Sequence, residues 1–169
     1  MAPRHVEVER FAKKAHAYKA ALRLAPKARE LEVGAVVAVV AGYCADRGWR
    51  PDEVRIVDLM AGNGILTKSL VEAGFSRVTA LEACEEMRPS AVADTDLEVN
   101  SVDFSNIGAE LLERRPHLIV SLAAFHHLIE YTGEVVDHES SVLGQAELVE
   151  RCVGALEPSG ALIIADLMD

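Results

Sequence analysis

The stretch Asp58-Leu59-Met60-Ala61-Gly62-Asn63-Gly64 ends the apolar run Val54–Leu59 and leads directly into the amphipathic segment Ile65–Ala73. This order predicts a buried strand that turns into a helix through small residues. Such a turn lets a ligand lie against the backbone, with the amide N–H groups of the helix start pointing at it. The alternative interpretation is a tight turn that only needs flexible residues.

The same rhythm of short apolar runs and helical segments continues along the chain. Further strands are predicted at Arg77–Leu81, Leu97–Val102, His117–Ala123 and Ala161–Ala165. The helices between them are predicted at Ile65–Ala73, Glu85–Asp94, Ile107–Arg115 and Gln145–Leu156. Strands that alternate with helices and are apolar on both faces form parallel sheets. We therefore expect an α/β fold, a Rossmann-like doubly wound sheet of five strands in the order 3-2-1-4-5.

The first fifty residues predict helices. Aromatic and apolar residues recur there at intervals of four, three and four, at Phe11, Ala15, Tyr18 and Leu22. Pro26 can open a second helix that ends at Gly48. The expected organisation is one domain, with N-terminal helices over residues 1–50 and the α/β core over residues 51–169.

Composition narrows the class of protein. The chain has 169 residues, half of them apolar, and a net charge of −10. No apolar stretch is long enough to span a bilayer and no signal peptide is recognisable, which predicts a cytoplasmic protein. The three cysteines are far apart and odd in number, so neither a disulfide framework nor a zinc site is expected. The acidic body argues against nucleic acid as a partner.

An acidic residue follows the second predicted strand. Glu82 stands twenty residues after Gly62, where a carboxylate can accept hydrogen bonds from both hydroxyls of a ribose. The pair of Gly62 and Glu82 is equally compatible with a nicotinamide dinucleotide and with another nucleoside cofactor. Thr67, however, occupies the position where the dinucleotide fingerprint has a third small residue.

Five segments of the chain follow a recognisable order: Val57–Gly64, Leu81–Met87, Asn100–Phe104, His117–Leu128 and Leu156–Asp166. Together they resemble class I methyltransferases that use S-adenosyl-L-methionine, in particular the small-molecule group that includes the quinone C-methylases. The resemblance implies a cytoplasmic enzyme that transfers a methyl group to an oxygen, nitrogen or carbon atom of a small molecule. Residues 1–50 would then be lid helices over the core.

The resemblance also implies a set of cofactor contacts: Tyr18, Asp58, Ala61, Gly62, Gly64, Glu82, Ala83, Met87, Asp103, Phe104 and Ser121. The methionine moiety would lie against residues 61–64, Glu82 would bind the ribose, and Met87 and Phe104 would flank the adenine. Asp103 would accept from the adenine amino group, and Ser121 would face the activated methyl. His126 and His127 are the candidate catalytic bases, although either could instead bond backbone at a helix start. No metal is expected.

Three features depart from the family pattern. Met60 stands where the family usually has glycine, and a positive φ there would cost about 1 kcal/mol or more. The stretch Ile129–Gly144 is longer than usual and is interpreted as a substrate lid or a surface loop. The family normally continues past the fifth strand into a helix and a closing hairpin, absent here. We therefore expect the apolar edge Ala161–Ala165 to be covered by a second copy or by a missing C-terminal portion.

Two other classes of function are compatible with the sequence. One is a nicotinamide-dependent oxidoreductase, against which Thr67 and the segment after the fourth strand both count. The other is a non-catalytic or truncated methyltransferase-like domain that acts as a partner subunit. A nucleic-acid methyltransferase is disfavoured, because Ser121–Phe125 lacks the Pro-Pro-aromatic segment of adenine-N6 enzymes.

Overall fold

The computed structural model of the chain describes residues 12–17, 20, 26–87, 99–100, 107–125, 130–132 and 135–166, with backbone alone at 99–100 and 130–143. Residues 12–17 are helical. The helices are α1 (Pro26–Asp46), α2 (Ile65–Glu72), α3 (Ile107–Arg114) and α4 (His138–Ala155). The strands are β1 (Arg55–Leu59), β2 (Arg77–Leu81), β3 (Val99–Asn100), β4 (Leu118–Leu122), β5 (Glu130–Thr132), β6 (Val135–Asp137) and β7 (Ala161–Ala165).

A parallel sheet forms the centre of the fold, with the strand order β3-β2-β1-β4-β7. The α/β class and the order of the four central strands agree with the sequence prediction. Only those four strands have full length, because the predicted strand Leu97–Val102 is described at Val99–Asn100 alone, as a two-residue edge beside β2. Among the described residues, the sheet thus has four five-residue strands and, at its edge beside β2, the two residues of β3.

The two faces of the sheet bury different side chains, because successive residues of a strand point to opposite faces. On one face, Ile56 lies in an apolar cluster with Val40 of α1 and Leu70 of α2. On the other face, Val57 lies in a second cluster with Leu111 of α3 and with residues of α4. Helices therefore cover both faces, and the carboxyl ends of β1, β2 and β4 meet at one edge of the sheet.

The segment after β4 differs from its prediction. The stretch Ile129–Gly144, interpreted as a loop or lid, contains an antiparallel hairpin of β5 and β6 followed by the start of α4. Helix α4 begins at His138, seven residues before the predicted start at Gln145. The predicted helix Glu85–Asp94 is also not seen at its start, because residues 85–87 form a turn. Its remainder lies outside the described residues.

A polar and aromatic cluster holds the amino ends of the strands. The Tyr43 hydroxyl donates to the carbonyl of Ser159 at 3.1 Å, which ties α1 to the turn before β7. The ring of Trp49 lies edge-on to that of His117, with centroids 5.2 Å apart. The N–H of Arg55 donates to Nδ1 of His117 at 3.1 Å. We call these five residues the amino-end cluster, because they lie at the end of the sheet opposite to the carboxyl ends of the strands. Its members are Tyr43, Trp49, Arg55, His117 and Ser159.

None of the helices in the part of the chain that the structure describes is both long and apolar enough to cross a membrane.

Candidate functional site

The turn between β1 and α2 has the backbone geometry of a ligand cradle. Met60, Gly62 and Gly64 all have positive φ, at 58°, 56° and 72°. The N–H of Ala61 donates to the carbonyl of Leu81 at 3.1 Å, which joins the turn to the end of β2. The glycines follow from this geometry, because left-handed residues without a Cβ cost least. The same geometry disfavours a residue with a Cβ at position 60. Met60 has the positive φ whose cost was considered in the sequence analysis, so its backbone is strained.

Glu82 binds the cradle from the neighbouring strand. Its Oε2 accepts the N–H of Gly62 at 2.6 Å, and its Oε1 accepts the N–H of Cys84 at 2.7 Å. The carboxyl group is buried, with 8% of the residue exposed. The sequence pointed to Glu82 as a ligand-binding acid, but it did not reveal that the carboxylate also holds the backbone of the turn. Each carboxylate oxygen can accept more than one hydrogen bond, so these two bonds do not by themselves exclude a ligand hydroxyl.

A second buried carboxyl lies under the same turn. The Thr67 hydroxyl, on α2, donates to Oδ2 of Asp58 at 2.5 Å, and both residues are at most 1% exposed. Burial raises the pKa of Asp58 to about 7. The hydroxyl and the backbone N–H of Thr67 act in the lowering direction, and the charge of Glu82 adds to the increase. The sequence marks Thr67 only as a departure from the dinucleotide fingerprint. It does not reveal that Thr67 is the hydrogen-bond partner of Asp58.

Met87 closes one side of the cradle. A Cβ built on Gly62 would lie 3.6 Å from Cε of Met87, an ordinary van der Waals distance, so Met87 lies directly beside the turn. Met87 lies in a small apolar cluster with Cys84 and Ala15, against which Ala12 and Ala83 pack. The N-terminal helical residues therefore contact the site, on the face that carries Ala15 as predicted. Burial raises the pKa of the Cys84 thiol to about 11, which leaves it a neutral packing group.

The end of β4 contributes an unsatisfied hydroxyl. Ser121 is 1% exposed, and its Oγ has no hydrogen-bond partner within the described part of the chain. A buried polar atom without a partner costs about 1–3 kcal/mol, which a bound ligand or water can recover. Two residues later, Ala123 adopts a positive φ of 52° while its N–H donates to the carbonyl of Ala165 at 2.7 Å. Both central strands, β1 and β4, are thus followed directly by a left-handed residue other than glycine.

The structure places part of the predicted set of site residues around one turn. Four members surround the same turn: Asp58, Gly62, Glu82 and Met87. Ala61 and Gly64 belong to the turn itself, Ala83 follows Glu82, and Ser121 lies on the adjacent strand end. The remaining predicted residues lie outside the described part of the chain: Tyr18, Asp103, Phe104, His126 and His127.

The site is chemically suited to a ligand that combines a positive charge with hydroxyl groups. Two carboxyl groups are present, and the charge of Glu82 lies close enough to Asp58 to raise the pKa of Asp58. The glycine turn admits a ligand close to the backbone, and α2 begins directly after it. Within the described residues, no group of three histidine, cysteine or acidic side chains could hold a metal ion. The arrangement can therefore bind and orient a cationic nucleoside.

The fold of the chain is similar to that of several solved structures. The sugar N-methyltransferase KedS8 from Streptoalloteichus sp ATCC 53650 superposes with a TM-score of 0.63 at 21% identity over 89% of this chain and 53% of its own. The amino pentose methyltransferase CalS10 from Micromonospora echinaspora, solved with SAM bound, gives 0.62 at 19% identity, covering 90% of this chain and 56% of that one. The plantazolicin methyltransferase BpumL, in complex with a pentazolic desmethylPZN analog and SAH, gives a TM-score of 0.65 at 17% identity, covering 95% of this chain and 59% of that one.

These similarities establish the fold. The chain shares the Rossmann-like architecture of solved methyltransferases and spans little more than half of the length of these three structures. No model of a protein family matches the chain, and no curated protein matches it in sequence.

Proposed function

We propose that the chain is the cofactor-binding core of an S-adenosyl-L-methionine-dependent methyltransferase that acts on a small molecule. The observation that carries this proposal is the 2.6 Å hydrogen bond from the Gly62 N–H to the Glu82 carboxylate. This bond joins the acidic residue after β2 to the glycine turn. The fold shared with methyltransferases solved with SAM or SAH supports the same assignment.

The residues present fit this cofactor. Bound S-adenosylmethionine would supply a methyl group on a positively charged sulfur, together with a ribose and an adenine. The glycine turn leaves no side chain at Gly62, where a Cβ would approach Met87. The two buried carboxyl groups, Asp58 and Glu82, offer the negative charge that a cationic ligand requires. The unpartnered hydroxyl of Ser121 lies at the end of the next strand, where a ligand can satisfy it.

Each residue has a distinct task in this proposal. Ala61, Gly62 and Gly64 place backbone against the methionine moiety, and Glu82 and Ala83 receive the ribose. Met87 packs against the adenine, opposite Phe104, and Asp103 accepts from the adenine amino group. Tyr18 closes the site from the N-terminal lid helices. The protein's main contribution is alignment of donor and acceptor, because the cofactor is already activated.

An acceptor oxygen, nitrogen or carbon that carries a proton requires a base. His126 and His127 follow β4 within a few residues, and we propose that one of them takes that proton. Two of the similar structures are described as a sugar N-methyltransferase and an amino pentose methyltransferase. Amino sugars are therefore the first acceptors to test, followed by phenols and carbon acids.

The exposed edge of the sheet suggests a partner. Strand β7 pairs with β4 on one side, and Ile164 on β7 is 41% exposed. We propose that a second copy or a further polypeptide segment covers this edge. Light scattering is then expected to show self-association, with cofactor binding less impaired than turnover. A stable monomer with full methyl-transfer activity would contradict this arrangement.

Ligand binding separates the proposed function from a nicotinamide-dependent oxidoreductase. We expect S-adenosylhomocysteine to raise the thermal unfolding midpoint, because a ligand that binds only the folded state stabilises it, whereas NAD should not. The reverse ranking would overturn the proposal. Transfer of a labelled methyl group to a panel of amino sugars, phenols and carbon acids then tests the activity itself.

A non-catalytic partner domain is the second candidate function. The observation in its favour is the positive φ of Met60, a strained residue in the turn that would hold the cofactor. In this case S-adenosylhomocysteine would still bind, but no acceptor would be methylated until a partner polypeptide is added.

A further inference from the structure

We propose that binding of the cofactor releases a proton from Asp58, and that Thr67 is the positioning residue that sets this coupling. The inference rests on the proposed function, since it concerns how S-adenosylmethionine and its product are held. It identifies a residue outside the expected set of contacts and gives it a measurable role.

The geometry places Asp58 between the cradle and the start of α2. Helix α2 is preceded by Gly64, whose lack of a side chain leaves no hydrogen-bonding cap. The hydroxyl and the backbone N–H of Thr67, in the first turn of α2, both donate to the Asp58 carboxyl. The carboxyl from β1 therefore performs the capping role that Gly64 cannot.

The surroundings of Asp58 explain why its ionisation is finely balanced. Its partners across the sheet, Ala80 and Val120, are apolar. The charged group that faces it from β2 is Glu82, which repels a second negative charge. The donors that face it from α2 belong to Thr67. Burial and Glu82 together raise the pKa of Asp58 to about 7, although Thr67 opposes the shift.

A positively charged ligand group changes this balance. The methionine end of S-adenosylmethionine and of S-adenosylhomocysteine carries an ammonium group and a carboxylate, and in this proposal the ammonium group faces Asp58 and Glu82. A positive charge near two carboxyl groups favours their ionised forms. Asp58 therefore loses its proton when the ligand binds at a pH below about 7, and cofactor affinity must rise with pH through this range by linkage.

The size of the effect follows from the pKa. Affinity for S-adenosylhomocysteine should increase about tenfold from pH 6 to pH 8, with about 0.9 proton released at pH 6 and about 0.1 at pH 8. Thr67→Val removes one donor to the carboxylate and should move this profile up by about one pH unit. At pH 7 the variant should then bind about fivefold more weakly.

Isothermal titration calorimetry in two buffers of different ionisation enthalpy measures both affinity and proton release. The ligands are S-adenosylhomocysteine and 5′-methylthioadenosine, which lacks the amino-acid end and should release no proton. Thr67→Ser keeps the hydroxyl and should restore the wild-type profile. Thr79→Val, at a half-buried threonine of β2, is the matched control and should leave the profile unchanged. Asp58→Asn should abolish the proton release.

The outcomes separate the two levels of the proposal. If S-adenosylhomocysteine does not bind the wild-type chain, the proposed function fails. If it binds without proton release, or if 5′-methylthioadenosine releases as many protons, the coupling to Asp58 is wrong. A Thr67→Val variant that binds more weakly by the same factor at every pH would assign Thr67 a packing role only. The wild-type measurement decides the coupling even if the variant does not fold.

Discussion

Met60 offers a direct test of backbone strain at the candidate site. The residue has a φ of 58°, which is costly for a side chain with a Cβ, yet it packs half-buried against the apolar cluster under α3 and α4. Replacing Met60 with glycine relieves the strain and removes the packing. The result depends on which of the two contributions is larger.

The contributions nearly cancel. Relief of the left-handed conformation should raise the free energy of unfolding by about 1–2 kcal/mol. The additional freedom of glycine in the unfolded chain should lower it by about 0.5–1 kcal/mol. A half-buried methionine loses about half of the 1.5–3 kcal/mol assigned to full burial. We therefore expect Met60→Gly to lie within about 1.5 kcal/mol of the wild type. Met60→Ala keeps the strain and loses the packing, so it should be less stable than Met60→Gly.

Urea denaturation followed by circular dichroism compares the two variants. The matched control is Ala38→Gly, at an exposed position inside α1, which should lose about 1 kcal/mol because glycine disfavours helix. The alanine-to-glycine step should therefore be favourable at position 60 and unfavourable at position 38. Met60→Gly should also bind S-adenosylhomocysteine at least as tightly as the wild type. If Met60→Ala proves more stable than Met60→Gly, the strain argument is refuted.

The remaining predictions concern two acids and one histidine. Glu82→Gln should lower the free energy of unfolding by about 1–3 kcal/mol and weaken binding of S-adenosylhomocysteine, because an amide cannot accept both backbone N–H groups. Chemical denaturation and calorimetry measure the two effects, and unchanged values in both would remove Glu82 from the site. Asp103→Ala should weaken binding less than Glu82→Gln, and the opposite ranking would reverse the proposed orientation of the nucleoside. Burial lowers the pKa of His117 below 6.5, so the folded chain binds fewer protons than the unfolded chain and stability falls as pH drops through 6.5. His117→Asn, which can still accept from Arg55, should lose less stability than the wild type between about pH 7.5 and pH 5.5; equal losses in urea denaturation would contradict this.

Several elements could be predicted from the sequence because local and global signals agree there. Arg77–Leu81 and Ala161–Ala165 have the same bounds in the sequence prediction and in the structure, since each is a short apolar run bounded by turn signals. The glycine turn could also be located, because Gly62 and Gly64 follow a buried strand. The resemblance identifies position 60 as one where the family usually has glycine, and the structure adds that Met60 has a positive φ there.

Other features depend on contacts that spacing alone does not reveal. The start of α4 at His138 was missed because Ser140, Ser141 and Gly144 read locally as loop residues. The hairpin before it consists of three-residue strands, too short for a periodicity to appear. The bond between Asp58 and Thr67 joins residues nine positions apart across a turn, and its geometry exists only once β1 and α2 have packed.

The amino-end cluster has a practical consequence for these experiments. Trp49 is the one tryptophan of the chain, and it lies at the opposite end of the five-residue strands from the glycine turn, a separation of about 16 Å. Its intrinsic fluorescence therefore reports the integrity of the scaffold and not the occupancy of the cradle. A variant that keeps the native emission spectrum but no longer binds S-adenosylhomocysteine has lost its site, whereas one whose emission shifts has lost its fold. The protein thus carries its own optical probe for separating the two kinds of defect.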